Sequence, residues 1–118
     1  MRNNRAVGAD YENKAAQYLE TLGYRIVEKN FRCRFGEIDL IAREGEYLVF
    51  IEVKYRAGTQ TGEPQEAVDD RKQKKISRTA AWYCRTHRIS MEQPCRFDVA
   101  ACRMGEWMLI RNAFDYVV

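Results

Sequence analysis

Asp39, Glu52 and Lys54 are the residues of this chain whose types and spacing could do chemistry. Both carboxylates lie in FGEIDLIAREGEYLVFIEVKYR, residues 35–56, inside runs that otherwise read as buried β-strand. Ionised carboxylates are expensive to bury, and a strand rich in Val, Ile and Phe has little other reason to carry them. Two that converge in a partly buried place repel unless a cation or proton relieves them. Oxygen donors of this kind suit Mg²⁺ or Mn²⁺, which keep several waters and take one or two protein carboxylates plus substrate phosphate oxygens. Lys54, one pleat beyond Glu52, has the reach to contact a scissile phosphate or orient an attacking water. Phosphodiester cleavage is the chemistry such a set could perform.

A hairpin must bring these residues together. EIDLIAR and YLVFIEVKYR are β-rich runs joined at EGE, where Gly45 supplies the turn. A two-residue turn at Glu44 and Gly45 pairs Arg43 with Glu46 and hence Asp39 with Phe50, so that Asp39 shares the face of Glu52. The two would lie on a diagonal, with backbone positions roughly 7 to 8 Å apart. Tyr47, Val49, Ile51, Val53 and Tyr55 form an apolar and aromatic set that reads as the core face, which leaves Glu52, Lys54 and Arg56 on the opposite one.

The remaining elements follow from periodicity. Val7, Tyr11, Ala15, Tyr18, Leu19 and Leu22 recur at helical spacing before Gly23, and YRIVEKNF, residues 24–31, reads as the first strand. RAGTQTGE, residues 56–63, reads as a mobile loop. Pro64 fits the first turn of a second helix, with Glu66, Asp69 and Asp70 favourable to its dipole and Val68, Ile76, Ala80 and Tyr83 on its inner face. Lys72 shares that inner register, contributing its stem. CRFDVAAC and EWMLIRNAF alternate as two last strands about Met104 and Gly105. The expected order is α-β-β-β-α-β-β.

Composition bounds the function. A chain of 118 residues, 46% hydrophobic and 31% charged, fits one α/β domain over 1–118. No apolar run approaches the roughly 20 residues of a membrane span, and MRNNRAVGADYE lacks the apolar core of a secretory signal, so a cytoplasmic protein without membrane contact is expected. Cys33, Cys84, Cys95 and Cys102 include no Cys-x-x-Cys pair, and the single His87 completes no zinc set. Net charge is only +3, but between Arg71 and Arg88 there are seven basic residues and no acidic one. Arg71, Lys72, Lys74, Lys75 and Arg78, with Arg56 on the neighbouring strand, suit a polyanion such as DNA.

Taken together, Asp39 followed by Glu52 and Lys54 in IEVK resembles the D…(D/E)-x-K signature of the PD-(D/E)XK nuclease superfamily, the restriction-endonuclease-like fold. Across nearly the whole chain, GADYENKAAQYLETLGY, GEIDLIA, FIEVKYR, EPQEAVDDRKQKKISRTAAWY and RFDV resemble the small bacterial YraN family, itself similar to archaeal Holliday junction resolvases. The resemblance implies a mixed sheet flanked by helices. It implies Glu12 as a third metal-site carboxylate beside Asp39 and Glu52, the Val53 carbonyl as a further donor, and Lys54 as the catalytic lysine. It also implies branched or structured DNA as substrate, a homodimer, and company among DNA repair or recombination proteins. Two departures stand out: Ile38 occupies the place of the signature's proline, and Gln73 lacks the Tyr four residues on that marks some related nucleases, residue 77 being Ser. Gln73 therefore has only a weak supporting role in DNA contact.

Simpler readings compete. Glu-x-Lys on a strand can be a solvent-facing pair of small energetic value, and a basic helix can be a solvated face. Asp39 on the face of Glu52, beside that helix, favours the site. Glu37 reads as structural or solvent-facing, Asp98 as a partner for a neighbouring Arg or a support for the site, and Trp82 and Trp107 as core or interface aromatics rather than base-stacking platforms. Function thus reads as a metal-dependent DNA endonuclease. The alternatives are a non-catalytic nucleic-acid-binding adaptor that keeps the nuclease fold and a protein-interaction domain with a basic face.

Overall fold

Two helices cover opposite faces of one five-stranded mixed sheet. The computed structural model describes residues 4–56 and 68–118, with side chains described for 10–55 and 68–118. Its elements are α1 (Asn4–Thr21), β1 (Arg25–Cys33), β2 (Gly36–Glu44), β3 (Tyr47–Arg56), α2 (Asp70–Thr86), β4 (Cys95–Arg103) and β5 (Glu106–Phe114), in the expected order. The strands lie side by side in sequence order, antiparallel except for β3 and β4, which run parallel. Parallel neighbours need a crossover, and α2 supplies it. This α/β architecture is compatible with a restriction-endonuclease-like core.

Both faces are core. Ala15, Ala16 and Leu19 of α1 pack with Leu40, Ala42, Val49, Ile51 and Ala100, while Val68, Ile76, Ala80 and Tyr83 pack with Ile41, Leu48, Phe50, Phe97 and Val99. The face of Leu48, Phe50 and Glu52, expected to lie away from the core, is instead covered by α2; a strand in a crossover unit is buried on both sides. Just past the end of α1, Leu22 is 40% exposed rather than inward-facing, and Val7 lies outside the described side chains. Gly23 adopts φ +94°, as expected of a helix-ending residue.

The hairpin turn falls on Gly45 and Glu46, one residue later than expected, because Gly45 (φ +55°) takes the first central position. Glu44 therefore pairs with Tyr47 and Leu40 with Ile51. The shift moves every pairing by two, so parity survives. Extending the register by one step sets Asp39 opposite Glu52 itself rather than diagonal to it.

Helix α2 opens at Asp70, not at Pro64, because Asp69 is its N-cap and accepts a hydrogen bond from the Lys72 N–H at 2.9 Å. Pro64, Glu66 and, apart from Arg56, the expected 56–63 loop lie outside the described residues.

Candidate active site

Strand β2 breaks its own alternation at Asp39. Ile38 belongs to the α2-side core and Leu40 to the α1-side core, although residues two apart on a regular strand share a face. The β1 ladder pairs Lys29 with Leu40 and Phe31 with Ile38, which places Asn30 opposite Asp39. Asn30 has φ +56°, a conformation that Asn tolerates better than most residues. Lys29 then bonds Asn13 on α1, whereas Phe31 meets Tyr83 on α2. Both strands thus change face across the Asn30–Asp39 step, where Asp39 also approaches Glu12.

The Asp39 Oδ2 accepts a hydrogen bond from the Val53 N–H at 2.8 Å, fixing the carboxylate against β3 just past its last regular β2 pair. Burial, then the charge of Glu52, pushes the Asp39 pKa up to about 8, against the Val53 N–H, which favours the ionised form. Glu12 and Glu37 push it the same way as Glu52. Burial likewise raises the Glu12 pKa, with Asn30 and Asp39 opposing and Glu37 adding to the rise. The Glu12 Oε1 is buried without a hydrogen-bond partner.

Glu52 is only 7% exposed and is held by two lysines. Its Oε1 lies 2.7 Å from Lys72 Nζ and 3.6 Å from Lys54 Nζ. Burial and the neighbouring Lys72 lower the Lys54 pKa against the pull of Glu52. Burial is the largest single influence on Lys72 and works against its charge, but the hydrogen bond to Glu52 and the charge of Glu52, with Lys54 and Asp39, together outweigh it and raise its pKa.

These side chains make a dense cluster of hard oxygen donors with competing ammonium groups. Among the described residues, no three His, Cys, Asp or Glu side chains already converge as a finished metal site. The donor chemistry nevertheless fits Mg²⁺ or Mn²⁺: these ions need only one or two protein carboxylates, and the orphaned Glu12 oxygen and the raised Asp39 pKa both mark uncompensated acidity.

The expected DNA-contacting residues divide. Arg71, Lys74, Lys75 and Arg78 are exposed on α2 and form no ion pair with another described residue. Lys72 turns into the acidic cluster, a role that its register did not reveal. The Gln73 side-chain amide donates to the Val68 carbonyl at 2.9 Å. The Arg56 side chain lies outside the described residues. Glu37 pairs with Arg32 at 3.0 Å. Asp98, fully buried, accepts hydrogen bonds from Tyr24, Arg96 and the Asn112 N–H, which makes it part of the framework.

The sequence profile of the uncharacterised protein family UPF0102 matches residues 11–102, from within the helix bearing Glu12 to the penultimate residue of β4. The chain belongs to that family. UPF0102 proteins of Lachnoclostridium phytofermentans and Syntrophus aciditrophicus are 48% and 46% identical to it, covering 96% and 98% of this chain and 96% and 93% of their own lengths. A Persephonella marina UPF0102 protein is 43% identical over 92% of both chains. The UPF0102 match spans every member of the acidic and lysine cluster. No described helix is long and apolar enough to cross a membrane.

Proposed function

We propose that this UPF0102 protein is a metal-dependent endonuclease that hydrolyses phosphodiester bonds in branched or otherwise structured DNA. The observation that carries the reading is the meeting of half-buried Asp39 and buried Glu52 beside Lys54, next to a helix face whose exposed cations have no described acidic partner. The resemblance to PD-(D/E)XK nucleases supports the same assignment. The reaction would take place in the cytoplasm, where DNA is at hand.

Asp39, Glu52 and Glu12, with the Val53 carbonyl, would hold the cation, Mg²⁺ or Mn²⁺. When bound, such an ion supplies positive charge to the phosphate oxygens and lowers the pKa of its water. The Val53 N–H keeps Asp39 in place. Lys54, one pleat beyond Glu52, donates to a phosphate oxygen and orients the water for in-line attack. The exposed α2 cations grip flanking phosphates, giving salt-sensitive affinity without base readout. By similarity to junction resolvases, two copies would act together as a homodimer on paired strands, in company with repair or recombination proteins.

One observation favours a second reading. Lys72 already neutralises Glu52, an arrangement that suits a non-catalytic DNA-binding adaptor retaining the fold. The readings separate in a cleavage assay on single-stranded, duplex, flap and four-way-junction DNA with Mg²⁺, Mn²⁺ or EDTA. Metal-dependent cutting supports the nuclease; salt-sensitive binding without cutting, unchanged in Asp39→Ala, supports the adaptor.

A further inference from the structure

Where the β1–β2 turn lies on α2, an arginine is held over two aromatic rings. Arg34 Cζ stands 4.8 Å from the Phe35 ring centroid and 5.7 Å from that of Trp82. Phe35 and Trp82 meet edge to face at 5.8 Å. Gly36 seats the turn against the helix: a Cβ there would lie 3.2 Å from Thr79 Oγ1. Phe35 on Trp82 and Gly36 on Thr79 seat the turn on the helix. The Arg34 guanidinium above them is exposed and has no carboxylate partner among the described residues.

The position of this cluster gives it a use. Arg71, Lys75, Arg78 and Trp82 recur at i, i+4, i+7 and i+11, which aligns them as one stripe along α2. Lys72, in the same helical turn as Arg71, bonds Glu52. At 1.5 Å of rise per residue, Trp82 lies about 15 Å along the helix from Lys72, a span of a few nucleotides. Cations alone would hold any phosphate backbone. A guanidinium backed by aromatic rings adds to its charge a stacking surface, and that addition is realised only where a base face is exposed.

We propose that Arg34, supported by Phe35 and Trp82, is a stacking seat for an unpaired base a few nucleotides from the phosphate placed at Lys54 beside the Asp39–Glu52 cluster. The substrate class is then DNA with a single-stranded segment adjoining the cleavage position, rather than continuous duplex. This proposal rests on the nuclease reading for its register and on DNA binding for its test.

The test measures binding in EDTA by fluorescence anisotropy to duplex, single strand, and duplex with a single-stranded arm carrying 2-aminopurine. Wild type is compared with Arg34→Lys, which keeps the charge, and Arg34→Gln. The wild type should prefer the armed DNA over duplex by about tenfold and change the 2-aminopurine emission. Both variants should lose most of that preference and the emission change, while Arg34→Lys keeps duplex affinity within about twofold. Equal weakening on all three DNAs, or an unaltered preference in Arg34→Lys, would overturn the stacking seat while leaving the DNA reading intact. No binding to any DNA would overturn both.

Discussion

Lys72 Nζ lies 2.7 Å from Glu52 Oε1, closer to that carboxylate than Lys54, its neighbour on the same strand, at 3.6 Å. Helix α2 thus reaches into the acidic cluster and occupies the oxygen that the proposed cation would share. On the proposed reading, lysine and cation would compete for Glu52.

Lys72→Met should therefore bind Mg²⁺ more tightly, with the dissociation constant falling by about tenfold, equivalent to about 1.4 kcal/mol. Glu52 is buried, so losing its nearest ammonium leaves it with Lys54 alone at 3.6 Å and should destabilise the metal-free fold by on the order of 1–3 kcal/mol. Isothermal titration calorimetry and urea unfolding measure the two effects. An unchanged or weaker Mg²⁺ affinity would show that Lys72 does not compete.

Asp39 sets a pH dependence of stability. An unfolded Asp loses its proton near 3.8, whereas the folded carboxyl holds it to about 8. Between these values the folded chain binds more protons than the unfolded one, so stability falls as pH rises and the loss is complete above about 8. Asp39→Asn should flatten this slope and gain on the order of a few kcal/mol at the alkaline end. Urea melts from pH 4 to 9 read the slope. Added Mg²⁺ should raise the melting temperature of wild type at pH 8 and leave Asp39→Asn nearly unmoved; parallel pH profiles for the two proteins would contradict the assigned cause.

Asn30 has a backbone requirement that its side chain alone does not satisfy. With φ +56° opposite Asp39, Asn30→Val should cost about 1–3 kcal/mol, whereas Asn30→Gly should stay close to wild type. If both substitutions cost the same in chemical denaturation, the Asn30 side chain rather than the strand's change of face is what matters.

The α2 stripe predicts a salt signature. Lys75→Ala with Arg78→Ala should reduce the slope of log affinity against log salt by about 2, one for each lost phosphate contact. The drop should appear on duplex and junction DNA alike. An unchanged slope would remove the stripe from the interface.

Strand and helix order was readable because each element carries its own periodicity, and Gly23 and Gly45 punctuated it. Asp39 and Glu52 stood out as carboxylates in apolar strands. The hairpin register was misplaced by two because sequence alone does not say which central turn position Gly45 fills, yet Asp39 and Glu52 still come close enough for the charge of Glu52 to raise the Asp39 pKa. The pairing of Lys72 with Glu52 was not legible because a lysine on an inner helical register reads as a snorkelling stem, and only tertiary packing of α2 on β3 brings its ammonium to Glu52. The change of face at Asn30 and Asp39 also arises between strands; Asn at a mid-strand position was its one sequence signal.

The most direct test of the central claim incubates purified protein with end-labelled four-way-junction, flap, duplex and single-stranded DNA in Mg²⁺, Mn²⁺ or EDTA, beside Asp39→Ala and Lys54→Ala. Cleavage that requires the metal and vanishes in both variants, with binding retained, is the predicted result. Binding without cleavage in every metal and on every substrate, or cleavage undiminished in the variants, would contradict it.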